Sequence, residues 1–135
     1  MGIIAHIAVD DAAGAIEFYK KALGATEVMR MPAQDGKRLM HAELAVNGGR
    51  LFLRDDFPEH ADQGGRSWTP KGLGGTPVIL HLDVPDCDAA VERAQKAGAT
   101  VKMPPWDAFW GDRYAQIIDP FGHYWSFAHP LKKSA

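Results

Sequence analysis

Hydrophobic spacing divides the chain into two similar halves. Apolar residues alternate or run together over 3–9 and again over 78–84, which is typical of a β-strand. After each run, apolar residues recur at the three- and four-residue spacing of one helical face. These faces consist of Ala12, Ala15, Ile16, Tyr19, Ala22 and Leu23, and then of Cys87, Ala90, Val91, Ala94 and Ala97. Three further strand candidates follow each helix, so the pattern predicts the order βαβββ twice.

The two halves also match when the chain is shifted by 75 positions. His6, Val9, Asp11, Ala15, Glu17, Lys21 and Ala22 fall on His81, Val84, Asp86, Ala90, Glu92, Lys96 and Ala97. Such self-similarity indicates a repeated structural unit. We therefore predict one α+β domain over residues 1–135, with a first βαβββ module at 1–54, a linker or mobile flap at 55–76 and a second module at 77–130.

Successive strand residues face opposite sides of a sheet, so the sequence also predicts which side chains share a face. One face is apolar throughout and is expected beneath the helices. The other face mixes polar with apolar groups, among them Ile4, His6, His41, Glu43, Leu51, Leu53, Ile79, His81, Tyr114, Gln116 and Ser126. This mixture predicts a partly apolar cavity in which His6, His41 and His81 share one interior with Glu43.

Composition limits the classes of function. The chain has 135 residues, a formal net charge of -2 and a single cysteine, Cys87, which cannot form an internal disulfide. It contains neither a basic block nor an apolar run of about 18 residues, and we expect no leader sequence. We therefore expect a cytoplasmic protein with neither nucleic acid nor membrane as a partner. Cys87 lies on the apolar helix face and is expected to be a buried packing residue.

Two motifs connect this pattern to a known family. The segment Ala15-Ile16-Glu17-Phe18-Tyr19-Lys20-Lys21-Ala22-Leu23-Gly24-Ala25 and the closing Asp119-Pro120-Phe121-Gly122-His123, within two βαβββ copies, resemble the glyoxalase, bleomycin-resistance and extradiol dioxygenase superfamily, also called vicinal oxygen chelate. The strand His41-Ala42-Glu43 and the segment 109–114 further resemble its PhnB-like branch. The resemblance implies a curved, mostly antiparallel eight-stranded cup with helices on the convex face, and a homodimer.

The resemblance also locates the residues that would hold a metal in metalloenzymes of this superfamily. Matching the motifs to this sequence places those positions at Ile4, Leu53, Ile79 and Ser126. Isoleucine and leucine offer no lone pair and a single serine hydroxyl is a poor ligand, so no metal is expected there and no cofactor is expected. Nitrogen and oxygen ligands for a relocated divalent metal are available at His6, His41, Glu43 and His81.

Several side chains on the mixed face have alternative interpretations. His6 and His81 are repeat mates that form either a ligand-binding pair or a hydrogen-bonded structural pair. His41 and Glu43 are either a satisfied pair or a catalytic acid and base. Trp106, Phe109, Trp110 and Tyr114 either close the core or form an aromatic wall against a flat ligand. His60, His123 and His129 are expected in solvent-exposed loops or strand ends, and Arg113, like its repeat mate Arg38, is expected to be structural.

The leading hypothesis is a protein that binds a small flat or partly apolar organic molecule in the cup. Its ligand-binding residues would be His6, His81, Trp110, Tyr114, Gln116 and Ser126. The alternative is a lyase, isomerase or dioxygenase that uses the relocated metal or the His41 and Glu43 pair. A third hypothesis, a fold kept for protein interaction, predicts a cup filled by its own side chains.

Overall fold

The computed structural model describes residues 2–132, which contain eight strands and three helices. The strands are β1 Ala5–Val9, β2 Thr26–Pro32, β3 Leu39–Val46, β4 Gly49–Asp55, β5 Ile79–Asp83, β6 Thr100–Asp107, β7 Asp112–Ile118 and β8 Tyr124–Pro130. The helices are α1 Ala12–Leu23, α2 Pro70–Leu73 and α3 Cys87–Ala97. No helix within these residues has the length and apolar character needed to cross a bilayer.

The strands form two open sheets of four. Their orders are β1-β4-β3-β2 and β5-β8-β7-β6. The pairs β1 with β4 and β5 with β8 are parallel, and the other neighbours are antiparallel. The predicted α+β class and the two βαβββ modules are therefore confirmed, with the eight strands divided equally between the two sheets.

Each long helix begins and ends at residues suited to that place. The side chains of Asp11 and Asp86 accept hydrogen bonds from the backbone N–H groups of Gly14 and Ala89, and so cap α1 and α3. Gly24 ends α1 with φ +69°, a left-handed conformation that favours glycine. The repeat therefore extends from the sequence to the capping geometry.

One hydrophobic core contains both long helices and the helix-facing side of both sheets. Tyr19 of α1 reaches across to the second module, where its hydroxyl donates to Asp119 at 2.5 Å and its ring lies 5.4 Å from Trp125. The predicted apolar face is confirmed at the strand centres, while its terminal residues Ile3 and Val78 are exposed. The opposite face of each sheet is turned away from this core. We call the one on β1–β4, which carries His6, His41, Glu43 and Phe52, the first outer face. The one on β5–β8, which carries His81, Tyr114, Gln116 and Ser126, is the second outer face.

The segment between the modules contains a hydrogen-bonded network and a short helix, neither of which periodicity predicted. Gln63, which is buried, accepts hydrogen bonds from Arg54 and from the Phe57 backbone, and donates to Asp56 and to the carbonyl of Arg66. The short helix α2 follows this network. The segment is therefore folded against the end of β4.

Candidate functional site

The first outer face carries two histidines and a phenylalanine in mutual contact. In the register of the sheet, Phe52 of β4 lies beside His6 of β1 and Glu43 of β3. The ring centroids of His6 and His41 are 5.5 Å apart, and those of His41 and Phe52 are 4.8 Å apart. Burial, together with nearby His41 and Arg54, lowers the pKa of His6 below its usual value. The cluster therefore offers an uncharged imidazole and an aromatic ring at neutral pH.

Glu43 is paired with an arginine on the neighbouring strand. Arg50 donates from Nε to Oε2 of Glu43 at 2.9 Å and from its Nη2 to Oε1 at 3.0 Å. These hydrogen bonds lower the pKa of Glu43, and they raise that of Arg50. Glu43 is therefore ionised at neutral pH, and its hydrogen bonds go to Arg50 rather than to His41.

The predicted facing of β4 is wrong. Leu51 and Leu53 lie in the core with 4% and 0% exposure, and the outer face of this strand carries Phe52 instead. The predicted equivalence of Leu53 and Ser126 equates Gly49 with Gly122, four residues before each, whereas the positive-φ glycine of the β3–β4 turn is Gly48. A slip of one residue reverses the face of every side chain in a strand. Strand alternation from His41 also predicts that Leu39 lies on the mixed face and Met40 on the apolar face, but Leu39 is buried and Met40 is exposed.

The second outer face is organised around His81. Its Nδ1 lies 2.7 Å from Oγ of Ser126 and its Nε2 lies 3.0 Å from Oδ1 of Asp83. The Tyr114 ring lies nearly parallel to the imidazole, with the ring centroids 6.3 Å apart. Gln116 donates from Nε2 to the Tyr114 hydroxyl at 3.0 Å. Four of the predicted ligand-binding residues, His81, Tyr114, Gln116 and Ser126, therefore form one cluster.

The aromatic residues of the β6–β7 hairpin extend this second cluster. Trp110 lies 5.3 Å from Tyr114, 5.7 Å from Trp106 and 5.1 Å from Phe109, with each pair edge to face. Phe109 is 92% exposed and Trp110 50% exposed, so these rings do not close the core. They form an open aromatic surface that continues from Tyr114, so the core-closing interpretation is wrong and the aromatic wall stays a prediction.

Within residues 2–132, no hydrogen bond or ring contact joins the two clusters. The structure brings His6 and His41 together on the face that also carries Glu43, but it places His81 on the other sheet. No group of three or more histidine, cysteine or acidic side chains in this part of the chain is arranged to hold a metal. Of the positions that the resemblance assigns to a metal, Leu53 lies in the core, and Ile4 and Ile79 offer no lone pair, so the expectation that no metal binds there is unchanged.

Two histidines that were expected in solvent make structural contacts instead. His123 is buried and donates from Nε2 to the carbonyl of Ala8, which connects the β7–β8 turn to β1. His129 accepts a hydrogen bond at Nδ1 from the backbone of Cys87, at the start of α3. His60 is exposed, as its loop position predicts, and its ring also stacks on Phe57.

The expectations for Cys87 and the arginines are confirmed. Cys87 is fully buried, and burial raises the pKa of its thiol to about 11. Arg113 pairs with Asp88 and Asp107, and its repeat mate Arg38 pairs with Asp35 and Glu59. Each arginine thus bridges two carboxylates of its own module or of the adjoining segment, as a structural role requires.

Sequence reasoning missed three residues of the first outer face: Phe52, Arg50 and Arg54. The guanidinium of Arg54 lies 5.4 Å from the Phe57 ring and 5.6 Å from the Trp68 ring. Correct pairing of the β3–β4 turn with the β7–β8 turn would have identified Phe52 and both arginines, because residues at even positions of β4 then share the face of His6.

Comparisons with known proteins agree with this fold. The profile of the Glyoxalase/Bleomycin resistance protein/Dioxygenase superfamily matches residues 3–127. An uncharacterised protein of Mycobacterium bovis is 52% identical over 128 residues, which cover 95% of this chain and 82% of that protein. A Mycobacterium tuberculosis relative has the same identity, with 74% of its length covered.

Solved structures give the same result. TioX from Micromonospora sp. ML1 has a TM-score of 0.72 and 28% identity, covering 97% of this chain and 99% of that one. A PhnB protein from Bacillus cereus shares the fold at a TM-score of 0.69 and 15% identity, covering 98% of this chain and 100% of that one. The chain belongs to the Glyoxalase/Bleomycin resistance protein/Dioxygenase superfamily.

Proposed function

We propose that the protein binds a small, flat or partly apolar organic molecule, as binding proteins of the bleomycin-resistance type do. The observation that carries this proposal is the pair of uncovered clusters on the outer faces. Each combines aromatic surface with a few hydrogen-bonding groups, which is the usual composition of a ligand pocket. The second cluster supplies the Trp110 and Tyr114 rings with Gln116, His81 and Ser126 beside them.

We further propose that a homodimer assembles the pocket, with the first outer face of one copy opposite the second outer face of the other. The first face carries the guanidinium of Arg54 beside the Arg50–Glu43 ion pair, and the second carries the carboxylates of Asp83 and Asp112. Opposite charges on the two surfaces favour this arrangement over the pairing of identical faces. Exposed Ile79, Trp106 and Trp110 add apolar surface that a second copy would cover.

A thermal-shift series tests ligand binding. A ligand that binds only the folded protein raises the midpoint of unfolding in proportion to the logarithm of its concentration once the site is saturated. We expect such a rise with some members of a panel of aromatic metabolites and antibiotics. Tyr114→Phe keeps the ring but removes the hydroxyl that accepts from Gln116, so it serves as the conservative comparison for Tyr114→Ala. Absence of any concentration-dependent rise across the panel would contradict the proposal.

The alternative is an enzyme with a relocated metal shared by His6, His41 or Glu43 and the partner copy's second face. No described contact favours it over binding, because Glu43 is engaged by Arg50. Elemental analysis of untagged protein before and after chelation separates the two functions. A stoichiometric metal that is lost on chelation would support the enzyme, whereas metal-free protein that still binds a ligand supports the binding function.

A further inference from the structure

The two modules meet at two places that correspond to each other in the repeat. Different side chains occupy these two places. At one end, Phe18 and Tyr19 of α1 pack against Phe121 of the β7–β8 turn, with ring centroids 6.2 and 6.3 Å from Phe121. All three side chains are buried. A shift of 75 positions takes Phe18 to Arg93, and the matching β3–β4 turn has Asn47 where the other has Phe121. The second end therefore lacks the rings that fill the first.

A cavity of about 310 Å³ occupies this second end, between α1, α3 and the end of β5. Its walls are mostly apolar and include Leu23, Leu82, Val84, Ala90 and Phe127. We call it the α1–α3 cavity. An empty cavity of about 150 Å³ already holds a benzene molecule, and ligand pockets begin at about 300 Å³. The α1–α3 cavity is therefore large enough for one ring with a short chain.

Arg93 is the cationic residue in the wall of this cavity. Its Nε donates to the carbonyl of Lys21 at 2.7 Å, which fixes the guanidinium at the end of α1. Among the hydrogen bonds and ion pairs of residues 2–132, none involves its two terminal nitrogens. By contrast, Asn47 donates to the carbonyl of Asp83, and Asp86 accepts from the backbone of Ala89. Arg93 thus retains N–H donors in a fixed fork, a geometry that suits a carboxylate.

A second depression of about 500 Å³ adjoins the α1–α3 cavity at Ala89 and Arg93. Its lining adds Lys21 and Lys96, together with Glu92, which pairs with Lys96 at 3.1 Å. The apolar cavity therefore opens past Arg93 onto a surface with a net positive charge. This order of apolar space, guanidinium and cationic rim matches a molecule with an apolar body and one anionic end.

We infer that the α1–α3 cavity binds a small amphipathic carboxylate, with its apolar body inside and its carboxylate on the terminal nitrogens of Arg93. The site lies on the core side of both sheets and shares no residue with the two outer faces. It is therefore separate from the pocket proposed above and does not depend on it.

Isothermal titration calorimetry of the full chain with 4-phenylbutyrate and with its neutral amide tests this inference. We expect the carboxylate to bind roughly tenfold more tightly than the amide, because a charge-assisted bidentate pair is about twice as strong as a neutral one. Arg93→Gln should remove that difference. Arg93→Phe introduces the residue that the repeat mate Phe18 provides at the other end of the module contact. Its ring should fill the cavity and abolish binding of both probes. Arg66→Gln, an equal loss of charge in the linker, should leave both affinities unchanged.

Three results would overturn the inference: no binding of the carboxylate to the unmodified protein, equal affinities for carboxylate and amide, or binding that survives Arg93→Phe. Circular dichroism and a thermal melt establish that each variant is folded before titration. If Arg93→Phe does not fold, Ala89→Leu obstructs the same cavity while keeping Arg93, and binding that survives it would equally contradict the inference.

Discussion

Neighbouring residues of β4 lie on opposite faces of the sheet. Substitutions at these positions should therefore affect either the stability of the fold or ligand binding. Leu53 is fully buried in the core, whereas Phe52 is half-buried against His6 and His41. We expect Leu53→Ala to lower the free energy of unfolding by about 2–5 kcal/mol, because it leaves a cavity in the core. Phe52→Ala should cost less stability but should reduce the thermal shift that a ligand produces. Urea unfolding of both variants measures the first effect, and equal losses of stability would contradict the assigned faces.

The folded environment of His6 makes stability depend on pH. Burial, followed by His41 and Arg54, lowers the pKa of this imidazole below its usual 6.5. The unfolded chain then binds a proton at a higher pH than the folded chain, so the free energy of unfolding falls as the pH drops below about 6.5. This loss ends once the pH is below the folded pKa. Above both pKa values the residue has no effect.

His6→Gln should therefore reduce the loss of stability between about pH 7.5 and pH 5.5. Urea unfolding at the two pH values measures it. His60→Gln, at an exposed histidine outside the cluster, is the control and should retain the full loss. A pH dependence identical in His6→Gln and the unmodified protein would show that His6 is not responsible.

At the scale of single residues, strand parity correctly placed His6, His41, Glu43 and His81 away from the helices. It failed for Leu51 and Leu53 because the choice between Gly48 and Gly49 as the turn glycine reverses the facing of β4. The pairing of Glu43 with Arg50 could not be predicted, since the error placed Arg50 in the core face. Predicting which side chains pair across two strands requires the register of those strands. Here the sequence leaves that register open by one residue.

At the scale of the elements, the end of α1 is fixed by Gly24 and by its contact with α3. A Cβ atom at Gly24 would lie 3.3 Å from Nη1 of Arg93, and the backbone there has φ +69°. Gly36 has a similar φ of +71° with no atom within 4 Å of the added Cβ. Gly36→Ala should therefore cost about 1–2 kcal/mol for conformation alone, and Gly24→Ala more, because Arg93 must also move. Equal costs in urea unfolding would show that Arg93 does not press against α1.

The two modules are held together by a buried hydrogen bond from α1. The Tyr19 hydroxyl donates to Asp119, which also accepts from the Trp125 indole and from two backbone N–H groups of its turn. Tyr19→Phe keeps the packing and removes this bond, so we expect a loss of about 1–3 kcal/mol in the free energy of unfolding. Tyr124→Phe, at a half-buried position, is the comparison and should lose less. Matching losses would contradict a special role for Tyr19.

Periodicity predicted the strands and long helices because each has one face in the core. It predicted no element inside residues 56–76, because Gln63, Asp56 and Ser67 are held there by hydrogen bonds rather than by apolar spacing. The same reason explains His123, whose bond to Ala8 connects two modules that are far apart in sequence. Polar networks of this kind leave no regular pattern along the chain.

At the scale of the whole molecule, the repeat predicted two equivalent modules but not how they would meet. The helices pack against each other inside one core, so the outer faces point away from it and remain uncovered in a single chain. That arrangement depends on the residues at the module contact, where Phe18, Phe121 and Tyr19 pack at one end and Arg93 stands at the other. We accordingly propose that two copies complete one pocket between unlike faces.

Cysteine cross-linking of coexpressed variants tests this claim most directly. One chain carries Phe52→Cys on the first outer face and the other carries Tyr114→Cys on the second, while the buried Cys87 is unchanged. With a short bismaleimide, the account predicts a covalent product of two chains, twice 14.8 kDa, that is much more abundant in the mixture than with either variant alone. A mixture that yields only single chains, or no more product than the separate variants, would contradict it.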